Sequence, residues 1–147
     1  MIRQILRASV LSGRANRCPV TDTGIVTPPV AEQIKSADIL VLESNHDESI
    51  LRMGHYPWFL KQRILGEKGH LSNEAAAKAL ARALLEEKNC GIIRDKMVLL
   101  AHLSKENNFP EMAMATMNNI LEENGLLSAN LCIQVLPRTQ NSPVYFV

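Results

Sequence analysis

Two short apolar runs, Ala37 to Leu42 and Met97 to Ala101, constrain this chain most strongly, because each stops abruptly at a polar residue, Glu43 and His102. A continuous apolar stretch of that length between polar neighbours reads as a strand buried on both faces of a sheet. Between the two runs lie helical patterns. Thr27 and Pro28 open one that carries Val30, Ala31 and Ile34, with Thr27 at the cap and Pro28 at the first helical position. Asp47 is placed to cap a second through Ile50, Leu51 and Met53, and Pro57 begins a third with Trp58, Leu60 and Ile64 on its apolar stripe. Ser72 or Asn73 caps the clearest, in which Ala75, Ala76, Ala79, Leu80, Ala83 and Leu84 recur at helical spacing until Asn89-Cys90-Gly91. Asn108-Phe109-Pro110 starts a Met-rich helix that Asn124-Gly125 stops. Strands alternating with helices predict an α/β layered fold.

The edges are less regular. Ile2, Ile5, Leu6, Val10 and Leu11 fit a short helix, and Ser12 to Arg17 reads as loop. Leu131 to Leu136 and Val144 to Val147 are expected as edge strands around the turn residues Pro137 to Pro143.

With 147 residues the chain has room for one domain with a real core. Its hydrophobic share of 46% and charged share of 21% exclude a disordered chain, and a formal net charge of +1 advertises no global field for a polyanion. Any such contact has to be local. An aromatic share of 4% argues against a base-stacking platform. Cys18, Cys90 and Cys132 match no zinc spacing and read as reduced thiols of a cytoplasmic protein. No stretch approaches the ~20 apolar residues a membrane-spanning helix needs.

Four polar islands stand at strand ends and helix starts: Thr21-Asp22-Thr23-Gly24, Glu43-Ser44-Asn45-His46-Asp47, Gly69-His70-Leu71-Ser72-Asn73 and His102-Leu103-Ser104. Each admits two readings. His102 is either a structural histidine after a strand or an imidazole projected to meet Zn²⁺ or Mn²⁺. Asp22 sits in an ordinary Asp-x-Gly turn or offers a bridging carboxylate. Glu43 belongs to a helix-capping loop or orients an imidazole, and His46 in the same loop fits either a supporting partner of the site or a cap. His70 is incidental to a capping box, or is placed with Ser72 and Asn73 where helix N–H groups attract phosphate.

Together the islands are more specific. Val41-Leu42-Glu43-Ser44-Asn45-His46-Asp47, Leu51-Arg52-Met53-Gly54 with Tyr56-Pro57-Trp58, Lys68-Gly69-His70-Leu71-Ser72-Asn73-Glu74 and Leu99 to Asn108 resemble the metallo-β-lactamase superfamily. The likeness is to its tRNA 3′-processing and β-CASP nucleases, and above all to a bacterial exonuclease-like branch, the YycJ/WalJ type. It covers roughly Val20 to Val147. The resemblance implies the C-terminal half of an αββα sandwich at 20–147, with an atypical segment at 1–19. It implies metal-dependent phosphodiester hydrolysis, exonucleolytic and on single-stranded DNA, with two divalent ions, Zn or Mn. Asp22 would match the bridging aspartate, His102 a late metal ligand, His70 the general acid and Glu43 its acidic support. Ser72, Asn73, Ser104 and Lys105 would be phosphate contacts, since the long loop from Ser104 offers many donors.

The chain departs from that pattern in two places. The superfamily's first metal motif, His-x-His-x-Asp-His, is absent, as is the separate mid-domain histidine; the chain's four histidines are at 46, 55, 70 and 102. Two sure ligands do not hold two metals. Ser12 to Pro19 is polar and Pro-punctuated where a buried strand should lead to Asp22. These departures make a truncated gene product, or a non-catalytic half-domain that self-associates or pairs with a partner chain, the alternative expectation. A third keeps the fold and changes the substrate to a small ester, thioester or lactam.

Overall fold

The computed structural model describes residues 15–137. The expected helix over Ile2 to Leu11 and edge strand over Val144 to Val147 lie outside the described residues. Within them the fold is α/β. Four strands, β1 (Arg17–Val20), β2 (Ile39–Glu43), β3 (Lys96–Ala101) and β4 (Leu131–Val135), form a sheet in the order β1-β2-β3-β4 with every neighbouring pair parallel. The connections carry five helices: α1 (Pro28–Ser36), α2 (Glu48–Met53), α3 (Trp58–Leu65), α4 (Asn73–Asn89) and α5 (Pro110–Glu123).

Strand periodicity explains the core. Leu40 and Leu42 of β2 and Val98 and Leu100 of β3 face one way, and there they meet Ile34 of α1, Ala76, Leu80 and Ala83 of α4 and Met117 and Leu121 of α5. Ile39 and Leu99 face the other way and are also buried, with Ala15, Val41, Met97 and Leu136 packed against them.

Two expectations need correction. Arg17 belongs to strand β1, not to a loop, and the polar Ser12 to Pro19 stretch runs into a paired strand leading to Asp22. An edge strand owes its pairing to backbone groups and tolerates a proline. Pro19 stands opposite Val41 on the outer strand, and Val20 closes the strand as a buried residue. Trp58 is the second case, being 64% exposed, not packed inward. The buried residue of α3 is Lys61, whose stem lies inside while Nζ donates to the Arg52 carbonyl at 2.6 Å.

At the N-terminal ends of β2 and β3, the buried Lys96 donates to the carbonyls of Ile34, Lys35 and Ala37 at 2.8–3.1 Å. It thus satisfies the end of α1, and burial lowers its pKa. Arg94 and Glu87 complete the cluster. At the opposite, carboxyl-terminal edge the same strands deliver the polar islands, the place where open α/β sheets build sites.

A candidate metal and phosphoryl site at the strand ends

Asp22 follows β1, Glu43 ends β2, and His102 follows β3, while His70 precedes α4. Parallel pairing therefore carries three of them to one edge. The fourth is brought in by backbone: Asn45 N–H donates to the Leu71 carbonyl and Asn73 N–H to the His46 carbonyl, both at 2.9 Å. Two glycines permit close approach. A Cβ on Gly69 would stand 2.0 Å from the Ile64 carbonyl oxygen, and one on Gly24 would stand 2.0 Å from that of Gly66. Gly24 N–H also donates to the Glu67 carbonyl at 3.1 Å, which ties the Asp22 loop to the end of α3.

Asp22, Glu43, His70 and His102 each offer a ligand-type atom within 4.8 Å of all the others. Glu43 is the centre. Its side chain is fully buried, and Oε1 accepts from both imidazoles, His102 Nδ1 at 2.5 Å and His70 Nδ1 at 2.8 Å. Oε2 accepts from the backbone N–H groups of Thr23 at 3.2 Å and Leu71 at 3.4 Å. Four donors thus converge on one buried carboxyl group. Both rings then carry their proton on Nδ1, which leaves Nε2 of each as the nitrogen not spent on Glu43. The hydrogen bond to Glu43 is the main reason the pKa of His102 is raised.

Asp22 Oδ1 lies 3.5 Å from His102 Nδ1 and 4.0 Å from His70 Nδ1, and the two rings meet edge to face with centroids 5.0 Å apart. Asp22 and His102 are also the two non-glycine residues with positive φ among the described residues, at 58° and 59°. Left-handed backbone at two members of one cluster is strain held where chemistry is built.

Oxygen and imidazole donors of this kind suit Zn²⁺ or Mn²⁺. As a set the four could hold a divalent ion, and Glu43 is the hydrogen-bond acceptor that fixes both rings.

The remaining expected site residues sit differently. Asn73 is buried and spends its amide inside the protein: Oδ1 accepts from the Ser44 hydroxyl at 2.6 Å and the Asn108 amide at 2.8 Å, while Nδ2 donates to Asn108 Oδ1 at 3.0 Å. Ser72 is buried too. Its hydroxyl accepts from Ala75 N–H as the α4 cap and donates to Glu48 Oε1. Ser104 Oγ accepts from Asn107 N–H at 3.2 Å, and Lys105 is exposed at the mouth of the same loop. Of the four, Ser104 and Lys105 keep access to a ligand.

His46 is neither a cap nor a partner of Glu43. Asp47 caps α2 by accepting from Ile50 N–H at 2.9 Å. The His46 ring is 1% exposed, neither nitrogen meets a hydrogen-bond partner among the described residues, and desolvation lowers its pKa.

Sequence reasoning missed what holds the loops together. Ser44, Asn73 and Asn108 form a buried polar triangle, and Asn45 Nδ2 donates to the His102 carbonyl at 2.8 Å, clamping the left-handed residue. The long loop's asparagines had looked like phosphate donors. Asn107 and Asn108 are in fact buried. The signal available was their position directly before a helix, where short polar side chains bond local backbone, as Asn108 Oδ1 does with Phe109 N–H.

No family model matches the chain. Among curated proteins it is 45% identical over 106 residues to exodeoxyribonuclease YycJ of Bacillus anthracis, covering 72% of this chain and 38% of that protein. It is 48% identical over 104 residues to exodeoxyribonuclease WalJ of Streptococcus pneumoniae serotype 2 strain D39, covering 71% of this chain and 36% of the relative. The WalJ protein of strain ATCC BAA-255 / R6 matches equally. The chain is a homologue of these YycJ/WalJ-type exodeoxyribonucleases. The resemblance to YycJ/WalJ-type exodeoxyribonucleases drawn from the loop motifs thus holds. The chain spans just over a third of the length of the curated relatives it matches.

Proposed function

We propose that this chain supplies the later half of a metal-dependent phosphodiesterase site of exonuclease type, acting on DNA. The observation that carries this is the shared Glu43 oxygen, which sets two imidazoles beside the Asp22 carboxylate at the strand ends. Asp22 and His102 would hold divalent metal, Zn or Mn, in a site of two ions. Bound metal activates water and offsets charge on a phosphodiester.

The roles of the chain's own residues follow from their bonds. His70, fixed through Nδ1 by Glu43, presents Nε2 toward the leaving oxygen and delivers a proton from it when the ring is protonated on both nitrogens. Ser104 and Lys105 contact phosphate at the loop mouth. Ser72, Asn73 and the His46 main chain position these groups from behind. Ligands of the His-x-His-x-Asp-His type, which the 147 residues do not contain, come from elsewhere. In that reading the sheet from β1 onward belongs to one half of an αββα four-layer sandwich, in a cytoplasmic protein acting on single-stranded DNA.

The missing first motif favours a second reading as well, a non-catalytic half-domain that works by pairing with another chain. One experiment separates the two. The chain is mixed with the isolated segment of a YycJ/WalJ-type relative that lies outside the region matched here, and given Mn²⁺ and end-labelled single-stranded DNA. The nuclease reading expects nucleotide release by the mixture alone, lost with His70→Ala. A stable complex without hydrolysis would establish the pairing reading instead.

A further inference from the structure

The composition argument against a stacking platform averages over the chain and hides a cluster. The chain has one Trp, two Tyr and three Phe, and Tyr56, Trp58 and Phe59 fall within four positions. Trp58 and Phe59 are 64% and 71% exposed, and nearby Met53 is 81% exposed. Successive helical residues point about 100° apart, so two exposed neighbours make the first turn of α3 a broad apolar surface on a rigid element.

That surface is tied to the site from two sides. Tyr56 lies beside Glu106 and Asn107 in the loop after His102. At the other end of α3, the Ile64 carbonyl accepts from His70 N–H at 3.0 Å. Trp58 lies six residues before Ile64, about 9 Å along the helix axis.

Charge agrees with the shape. From 52 to 68 the sequence has Arg52, Lys61, Arg63 and Lys68 against Glu67, of which Lys61 is buried. Arg52 is paired with Glu48, while Arg63 and Lys68 are exposed. Aromatic faces beside a local cationic excess match single-stranded nucleic acid, whose bases stack without regard to sequence while its phosphates seek cations.

We propose that Trp58 and Phe59 form a stacking platform for the bases of a single-stranded DNA segment whose end is presented to Glu43, His70 and His102. This rests on the nucleic-acid reading of that site. Trp58 is the chain's one tryptophan, so its emission reports the platform directly.

The test titrates the full chain at low salt with fluorescein-labelled oligothymidylate, following anisotropy and Trp58 emission together. Expected are saturable binding, quenching of Trp58, weaker binding of the matching duplex, and a loss of affinity of about 5- to 150-fold in Trp58→Ala and in Phe59→Ala with unchanged melting temperature. Binding with equal affinity in both variants and no quenching would overturn the platform and leave the nucleic-acid reading standing. No binding by anisotropy would overturn that reading and the platform with it. A blue shift of Trp58 on raising protein concentration, without response to DNA, would assign the patch to a second copy of the chain.

Discussion

Asp22 and His102 share a left-handed backbone, with φ of 58° and 59°, and face one another with Oδ1 and Nδ1 3.5 Å apart. Each is the turn that swings a side chain off its strand and toward the other. Such conformations cost about 1–3 kcal/mol at non-glycine positions, with aspartate near the low end. Asp22→Gly should therefore leave the denaturant midpoint within about 1 kcal/mol of the parent, because relief of strain offsets glycine's extra freedom in the unfolded chain. It should nevertheless remove the divalent-ion response. A large loss of stability would mean that the Asp22 side chain holds the fold.

Glu43→Gln tests the shared acceptor. Glutamine keeps the shape, but its amide N–H₂ would face donors from Thr23, Leu71 or the two imidazoles. The unmatched donors should cost about 2–4 kcal/mol in chemical denaturation. A change below 0.5 kcal/mol would show that the buried carboxylate is not what organises the site.

Gly69→Ala should be among the most damaging single substitutions outside the core. Its Cβ would lie 2.0 Å from one backbone oxygen and 2.4 Å from another, Ile64 and Arg63. Neither can yield without moving the end of α3 and the His70 loop. A loss of about 3 kcal/mol or more is expected from thermal unfolding. A melting point equal to the parent's would contradict the close approach.

His46 sets an acid limit. Burial lowers its folded pKa below the unfolded value of about 6.5, so the unfolded chain takes up a proton first. The stability tied to neutral His46 is present above that pH and lost as pH falls from about 6.5 toward the folded pKa. The slope reaches at most about 1.4 kcal/mol per pH unit. His46→Leu should flatten the difference between denaturation midpoints at pH 7 and pH 5.5. Identical pH dependence in parent and variant would refute the buried-neutral assignment.

Much of this was legible in the sequence because each signal was local. The runs at Ala37 to Leu42 and Met97 to Ala101 carry the pattern of buried strands, and β2 and β3 follow them within a residue or two. Asp47 and Ser72 cap their helices as short acceptor side chains should. What escaped depended on tertiary pairing. Arg17 to Val20 has no strand pattern of its own and is a strand because β2 accepts it. Asn73, Asn107 and Asn108 read as donors facing outward, yet their partners are other loops, and sequence spacing does not disclose a triangle closed by Ser44. Trp58 is 64% exposed, while the buried residue of the same helix is Lys61.

The most direct measurement uses the fact that the chain has four histidines, each assignable by a single substitution. Imidazole proton signals would be recorded by NMR while substoichiometric Mn²⁺ is added. The account predicts that the His102 and His70 resonances broaden first, that exposed His55 follows at far higher Mn²⁺, and that Asp22→Gly abolishes the difference. Uniform broadening of all four, or His55 leading, would contradict a divalent ion held between Asp22 and His102.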